Sequence, residues 1–223
     1  MEHGGALFHI GPLDVTSEMT TMLGISILLV VICALATRNM KLIPGGLQNL
    51  VEKGVEMLDN FIGGLLSPEL KKQYFPLLAT IFIFILFCNY SGILPLAGHL
   101  NGLMGPTAVL SVTVSMAIVV FCTTHFAGVR AHGFGYLKHF ISPYVFLLPL
   151  LIIEEFVRPV SLSLRLYGNI YGEEMVTSQL FGLFPIVVPV VMNVFSLLMG
   201  GIAAMVFTLL SCIYIEGAAG AGH

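Results

Sequence analysis

Six charged side chains, Glu154, Glu155, Arg158, Arg165, Glu173 and Glu174, stand in a stretch from Pro143 to Leu183 that is otherwise largely apolar and has no good turn signal. A guanidinium stays protonated, so it serves poorly as a proton relay and well as an electrostatic gate. Beside a mobile carboxylate it favours the ionised form and drives off a bound cation. At about 100° per residue, Glu154, Arg158, Ser161, Asn169 and Gly172 fall within about 40° of Arg165 and form one polar stripe. Glu174 falls on the opposite face. One helix thus offers a polar stripe to one environment and a carboxylate to another, a division that a single water-filled pore does not require. Glu154 and Glu155 are in-chain partners available to Arg165; a carboxylate on another subunit is the alternative. Arg158, just before Pro159, is the better placed of the two arginines to reach headgroups from a helix end.

Only 9% of the 223 residues are charged and 57% are hydrophobic, against about 25% charged in an average soluble domain. Such a chain belongs in a bilayer. Nine basic against twelve acidic residues leave no electrostatic footprint for nucleic acid. Cys33, Cys88, Cys122 and Cys212 sit singly in apolar runs, with neither a disulfide framework nor a metal-ligand spacing. The histidines show no ligand spacing either. No metal and no cofactor is expected.

Gln73 to Val129 contains no Asp, Glu, Lys or Arg. A continuous helix of that length would reach about 85 Å, so it must fold back within a hydrocarbon core of about 30 Å. The Gly- and Pro-rich stretch Pro95–Pro106 marks the break. The expectation is an all-α integral membrane fold in a single domain, 1–223, with five membrane helices and one amphipathic helix on the cytoplasmic face. The spans are placed at 19–37, 75–96 and 107–127. They are followed by a long tilted charged helix at 143–183, which forms a hairpin with the last helix at 186–215. The amphipathic helix is placed at 46–66, where Leu47, Leu50, Val51, Val55, Leu58 and Ile62 recur at helical spacing and suit either lipid or a partner protein. Arg38 and Lys41 follow the first run and no basic residue precedes it, the reverse of a signal peptide, so it is read as a retained span. Seven of the nine basic residues lie in the connections after the first and third spans. The positive-inside rule then puts the N-terminus outside and the C-terminus in the cytoplasm.

The run Ser161-Leu-Ser-Leu-Arg165-Leu-Tyr-Gly-Asn169-Ile-Tyr-Gly-Glu173-Glu174 closely resembles the signature of subunit a of bacterial F-type ATP synthases. Glu154-Glu155 and Pro159 upstream fit the same pattern. So do Asn89-Tyr-Ser-Gly92-Ile-Leu-Pro95, Pro106-Thr107, and Gly128-Val-Arg130 with Gly135-Tyr136-Leu-Lys138-His-Phe140. The resemblance runs from about Phe75 to Ile215. It implies a stator in the bacterial inner membrane beside a ring of c subunits, with the b-subunit peripheral stalk and the rest of the complex as further partners. Two offset aqueous half-channels would carry protons to and from the ring carboxylates. Arg165 would face the ring between them, Asn169 would sit one turn away, and Glu174 would line the half-channel open to the outside. The chain would not itself act on ATP.

Two departures from the family pattern bear on the site. Val109 stands where a carboxylate often opens the third span, and Ala203 stands where the last span often has a Gln. Glu173, where many relatives have a small residue, is a candidate compensation, and the outer half-channel is expected to rely on the Glu173–Glu174 pair. Sodium in place of the proton is the first alternative. An independent secondary transporter is a second, disfavoured because no repeat of the charged helix is present.

Overall fold

The computed structural model describes residues 6–10, 13–38, 45–92, 105–133, 148–181 and 187–220. The Pro95–Pro106 break therefore lies, up to residue 104, outside the described residues, as do the Gly135–Phe140 motif and Pro185. The order is a short antiparallel ribbon, β1 (Ala6–Ile10) and β2 (Leu13–Thr16), then α1 (Ser17–Thr37), α2 (Leu47–Gly63), α3 (Pro68–Ser91), a 3-10 turn at Pro106–Ala108, α4 (Leu110–His132), α5 (Leu148–Phe181) and α6 (Val187–Gly220). The ribbon pairs Phe8 with Val15 and Ile10 with Leu13. It was not anticipated, because strands of five and four residues leave too little alternation to read.

The helices carry their polar groups in a way suited to lipid. Thr20, Ser26 and Thr37 on α1, Thr80 on α3, Ser115 and Thr123 on α4, and Thr208 and Ser211 on α6 each donate a hydroxyl to the carbonyl four residues earlier. A hydroxyl satisfied within its own helix does not need water. Pro68 opens α3 at the position where its missing N–H costs nothing. Gly133 ends α4 at φ +56°, a left-handed conformation that favours glycine.

Helices α3 to α6 form the body of the protein. Helix α6 packs against α3, α4 and α5, and α5 also packs on α4. Leu78, Ile81 and Ile85 of α3, Ala117 and Val120 of α4, Leu162 and Leu166 of α5, and Ala203, Ala204 and Phe207 of α6 are buried together. The small residues of α6 have a packing reason. A methyl group on Gly200 would lie 3.1 Å from Asn89 Cβ, and one on Gly201 would lie 3.2 Å from the Tyr90 hydroxyl. Asn89 Nδ2 donates to the Gly200 carbonyl at 2.8 Å, tying the two backbones together. Ser67 binds Glu216 through both its backbone N–H (2.9 Å) and its hydroxyl, which fastens the α2–α3 corner to the end of α6. Lys71 closes the same corner on Asp59 at 2.8 Å. Leu58 and Ile62 of the amphipathic helix are buried in this core, while Leu50 and Met57 are exposed.

Helix α1 lies on the outside, against α3, α2 and the 3-10 turn, and leaves Leu23, Ile27, Val30 and Leu35 exposed. Apolar side chains also dominate the outer faces of α4, α5 and α6, as a lipid solvent demands. Among the described residues, four helices rather than five are long and apolar enough to cross a membrane, at Glu18–Thr37, Pro68–Ser91, Leu110–His132 and Val190–Gly220. The expected fifth, α5, fails on composition: every 18-residue window of it holds at least three charged residues. The protein is an all-helical integral membrane protein apart from the terminal ribbon.

Candidate functional site

Helix α5 continues through Pro159 for 34 residues, about 51 Å of helix. Its two faces differ sharply. Leu162, Ser163, Leu166 and Ile170 are buried against the bundle, and Glu155 and Glu173, on the same face, are half-buried. On the other side Arg165, Gly168 and Asn169 are exposed, with Ser161 and Gly172 half-buried beside them. The structure thus turns the expected polar stripe outward.

Arg165 has no carboxylate within ion-pair distance among the described residues. The expectation that Glu154 or Glu155 could hold it is corrected, because both bind Arg158 instead. Arg158 Nη2 meets Glu154 Oε1 at 2.9 Å and Arg158 Nη1 meets Glu155 Oε2 at 3.1 Å. The reason is helical spacing: three- and four-residue separations bring side chains together, whereas Arg165 is ten and eleven residues away. Arg158 is therefore anchored in a protein network and is not free to reach headgroups. Its guanidinium also lies 5.7 Å from the centre of the Tyr214 ring, within cation–π range.

Leu164 is exposed next to Arg165 on α5, and Leu198, Ile202 and Met205 are exposed on α6, which packs against α5. No described residue lies within contact of a methyl group on Gly168 or Gly172, so the Gly-x-x-x-Gly spacing serves no helix contact among the described residues. A charged group on such a surface costs about 2.5–3.5 kcal/mol at the centre of a bilayer when lipid is its neighbour. The stripe is shaped for something other than lipid.

Glu174 points the other way. A methyl group on buried Gly105 would lie 3.6 Å from Glu174 Oε1, which sets the carboxylate against the foot of the 3-10 turn. Thr107 in that turn is buried, and its hydroxyl has no hydrogen-bond partner among the described residues. Glu173, the neighbour in sequence, faces the bundle, so the two carboxylates leave the helix in different directions. Val109 follows the turn directly and Ala203 is buried in the core of α6. Along the axis, Glu155 and Glu174 stand about 15 and 14 Å on either side of Arg165.

Residues that sequence spacing missed complete the picture. His125 of α4 lies 3.6 Å from Glu155 Oε1, and Thr124 beside it is buried. His125 has no local motif, because Glu155 lies thirty residues further along the chain. The family described as ATP synthase A chain matches residues 19–216. The chain belongs to that family. The ATP synthase subunit a of Geotalea uraniireducens is 41% identical over 200 residues, covering 88% of this chain and 84% of that protein. ATP synthase subunit a 3 of Pelobacter propionicus is 41% identical over 222 residues, covering 98% and 93%. The subunit a of Moorella thermoacetica is 41% identical over 210 residues, covering 94% and 93%. An ATP synthase subunit a with several long apolar helices is a multi-pass component of the membrane sector of that complex.

Proposed function

We propose that this chain is the stator of a rotary F-type ATP synthase in a bacterial inner membrane, and that it carries protons to and from carboxylates on a c ring through two half-channels separated by Arg165. The observation that supports this reading is an exposed guanidinium, without an in-chain ion pair among the described residues, on the outward stripe of a helix that is otherwise largely apolar. A rotating ring is a partner that covers such a face and brings a carboxylate to it. As a ring carboxyl approaches Arg165, the fixed positive charge stabilises the ionised form and releases the proton. The same charge stops a proton from crossing directly between the half-channels. Asn169, one turn on, and Ser161, one turn back, supply neutral polar contacts on the same stripe. Glu174, against the 3-10 turn on the opposite face, serves the outer half-channel with Glu173. Each proton that crosses gains about 2.3 kcal/mol per 100 mV, which turns the ring. In this reading the α2 end is cytoplasmic, the N-terminus is outside, the b-subunit stalk holds the chain, and α5 is a fifth, tilted membrane helix in a hairpin with α6.

The test is photo-crosslinking in the intact complex. A photoreactive residue in place of exposed Gly168 should give an adduct with the c subunit, whereas the same residue in place of buried Leu162 should give none. Absence of the first adduct from a fully assembled complex overturns the reading. Dependence of ATP hydrolysis on sodium at fixed pH would replace the proton by sodium and leave the stator role in place.

A further inference from the structure

At the opposite end of α5 from Glu174, helices α4, α5 and α6 enclose a small half-open cleft of about 10 Å³, room for about one water, lined in part by Phe121, Thr124, Glu155, Arg158 and Tyr214. Glu155 lines it, with its side chain only 13% exposed. One carboxylate oxygen, Oε2, accepts from Arg158 Nη1 at 3.1 Å. The other, Oε1, is left for His125 Nδ1 at 3.6 Å. That separation is beyond a direct hydrogen bond and within reach of a shared water. The His125 ring is held by Phe121, edge to face, with centroids 4.1 Å apart. Thr124, 3% exposed, presents to the same cleft a buried hydroxyl with no hydrogen-bond partner among the described residues. A buried, unpaired hydroxyl is costly, and a single bound water is the usual remedy.

A purely structural ion pair would need only Arg158 and the two glutamates. It would not call for an imidazole braced on the second oxygen of Glu155, nor for an unpaired hydroxyl beside it. Glu155 also lies on the buried face of α5, away from the Arg165 stripe.

We propose that this cleft is a proton-transfer station of the second half-channel, in which Glu155 and His125 carry the proton and Thr124 holds the water through which it passes. The proposal rests on the stator reading above. A proton released near Arg165 reaches the cleft as hydronium, about 15 Å along the helix. The water gives one proton to Glu155 Oε1, and an O–H bond forms as one in hydronium breaks. The proton then moves through water to the His125 ring nitrogen, leaving Glu155 ionised against Arg158, and bulk water takes it from the imidazolium. One proton crosses and no electron is moved. Arg158 keeps Glu155 in position and touches no proton in transit; it is a positioning residue. Among the described residues, the charged and titratable groups gathered at His125 include Glu155, Arg158 and, through Arg158, Glu154 of α5 and Tyr214 of α6. Arg130 and His132 follow on α4 itself.

The experiment uses the whole ATP synthase in vesicles, with proton flux measured while pH is varied on one side at a time. Thr124→Val, close in shape and lacking the hydroxyl, should slow flux at least fivefold, and Thr124→Ser should restore it. Glu155→Gln should slow it by a similar factor. His125→Gln should shift the pH dependence on the side of the α4–α5 connection and leave the other side unmoved. A structural role predicts loss of assembly with no one-sided pH shift. Equal flux in the Val, Ser and parent complexes, or a pH profile unchanged by His125→Gln, overturns the proposal. If Arg165→Ala still abolishes coupling in that case, the stator reading stands and only the station falls; if Arg165→Ala leaves coupling intact, the stator reading falls first.

Discussion

Arg165 and Leu166 are adjacent in sequence and opposite in fate, which makes them a matched pair. Leu166 is 2% exposed and packs into the core of the bundle, whereas Arg165 is exposed and unpaired by any described carboxylate. Leu166→Ala should therefore destabilise the folded chain by about 2–5 kcal/mol, the range for a large buried side chain cut to alanine. Arg165→Ala removes no core contact and should change stability by no more than about 0.5 kcal/mol. It should also ease insertion of α5, since a central arginine costs about 2.5–3.5 kcal/mol on insertion scales. Function should show the reverse order. In the proposed stator role, with the guanidinium gone nothing would hold the ring carboxyl ionised and nothing would block passage between the half-channels. Coupled ATP synthesis should fall to background while the complex still assembles. The assays are thermal aggregation of the detergent-solubilised complex, for stability, and ATP synthesis driven by an imposed gradient in vesicles, for coupling. If Arg165→Ala lowers the melting transition as far as Leu166→Ala does, the guanidinium is a structural group and the argument from its exposure fails. If Arg165→Ala retains coupled synthesis, the gate itself is refuted.

Glu174→Gln should cut proton flux several-fold without loss of assembly, because its carboxylate stands at the 3-10 turn away from the core; undiminished flux rules out its place in the outer half-channel. Gly200→Ala should destabilise the α3–α6 contact by about 1–3 kcal/mol, the usual range for overpacking, since the new methyl group would sit 3.1 Å from Asn89 Cβ. Thermal unfolding of the purified subunit measures it, and an unchanged midpoint would show that α3 yields freely. Glu216→Ala strips Ser67 of the acceptor for both its N–H and its hydroxyl. It should cost about 1.5–3 kcal/mol and speed proteolysis at the α2–α3 corner; limited proteolysis at the parent rate would contradict this.

The apolar runs were legible because a bilayer imposes length and composition on every helix that crosses it. The two faces of α5 were legible because a helix converts spacing into direction. Placing Glu174 opposite Arg165 needed only their nine-residue separation, and the carboxylate lies at Gly105, on the far side from the exposed stripe. What spacing could not supply was the partner of each group. Arg158 takes both glutamates, and His125, Tyr214 and Asn89 meet their neighbours across helices. Glu216 and Ser67 are 149 residues apart and carry no shared motif. Small residues were equally ambiguous: Gly200 and Gly201 of α6 prove to admit Asn89 and Tyr90, whereas Gly168 and Gly172 of α5 meet no helix among the described residues.

Helix α5 carries two ionic systems that its own geometry keeps apart. Glu155 and Glu173 lie on its buried face, eighteen residues or five full turns from each other, and Arg165 lies between them on the outer face. Eighteen residues at 3.6 per turn bring a side chain back to the same direction, so the two inward carboxylates stay aligned without any help from the bundle. Arg165 is ten residues from Glu155 and eight from Glu173, which turns it about 80° away from both. At those separations neither carboxylate comes within ion-pair reach of the guanidinium, since side chains meet along a helix only three or four residues apart. In the proposed stator role this leaves Arg165 without a standing partner among the described residues, and the gate needs that freedom, because an arginine already neutralised within its own chain has no charge left with which to expel an incoming proton.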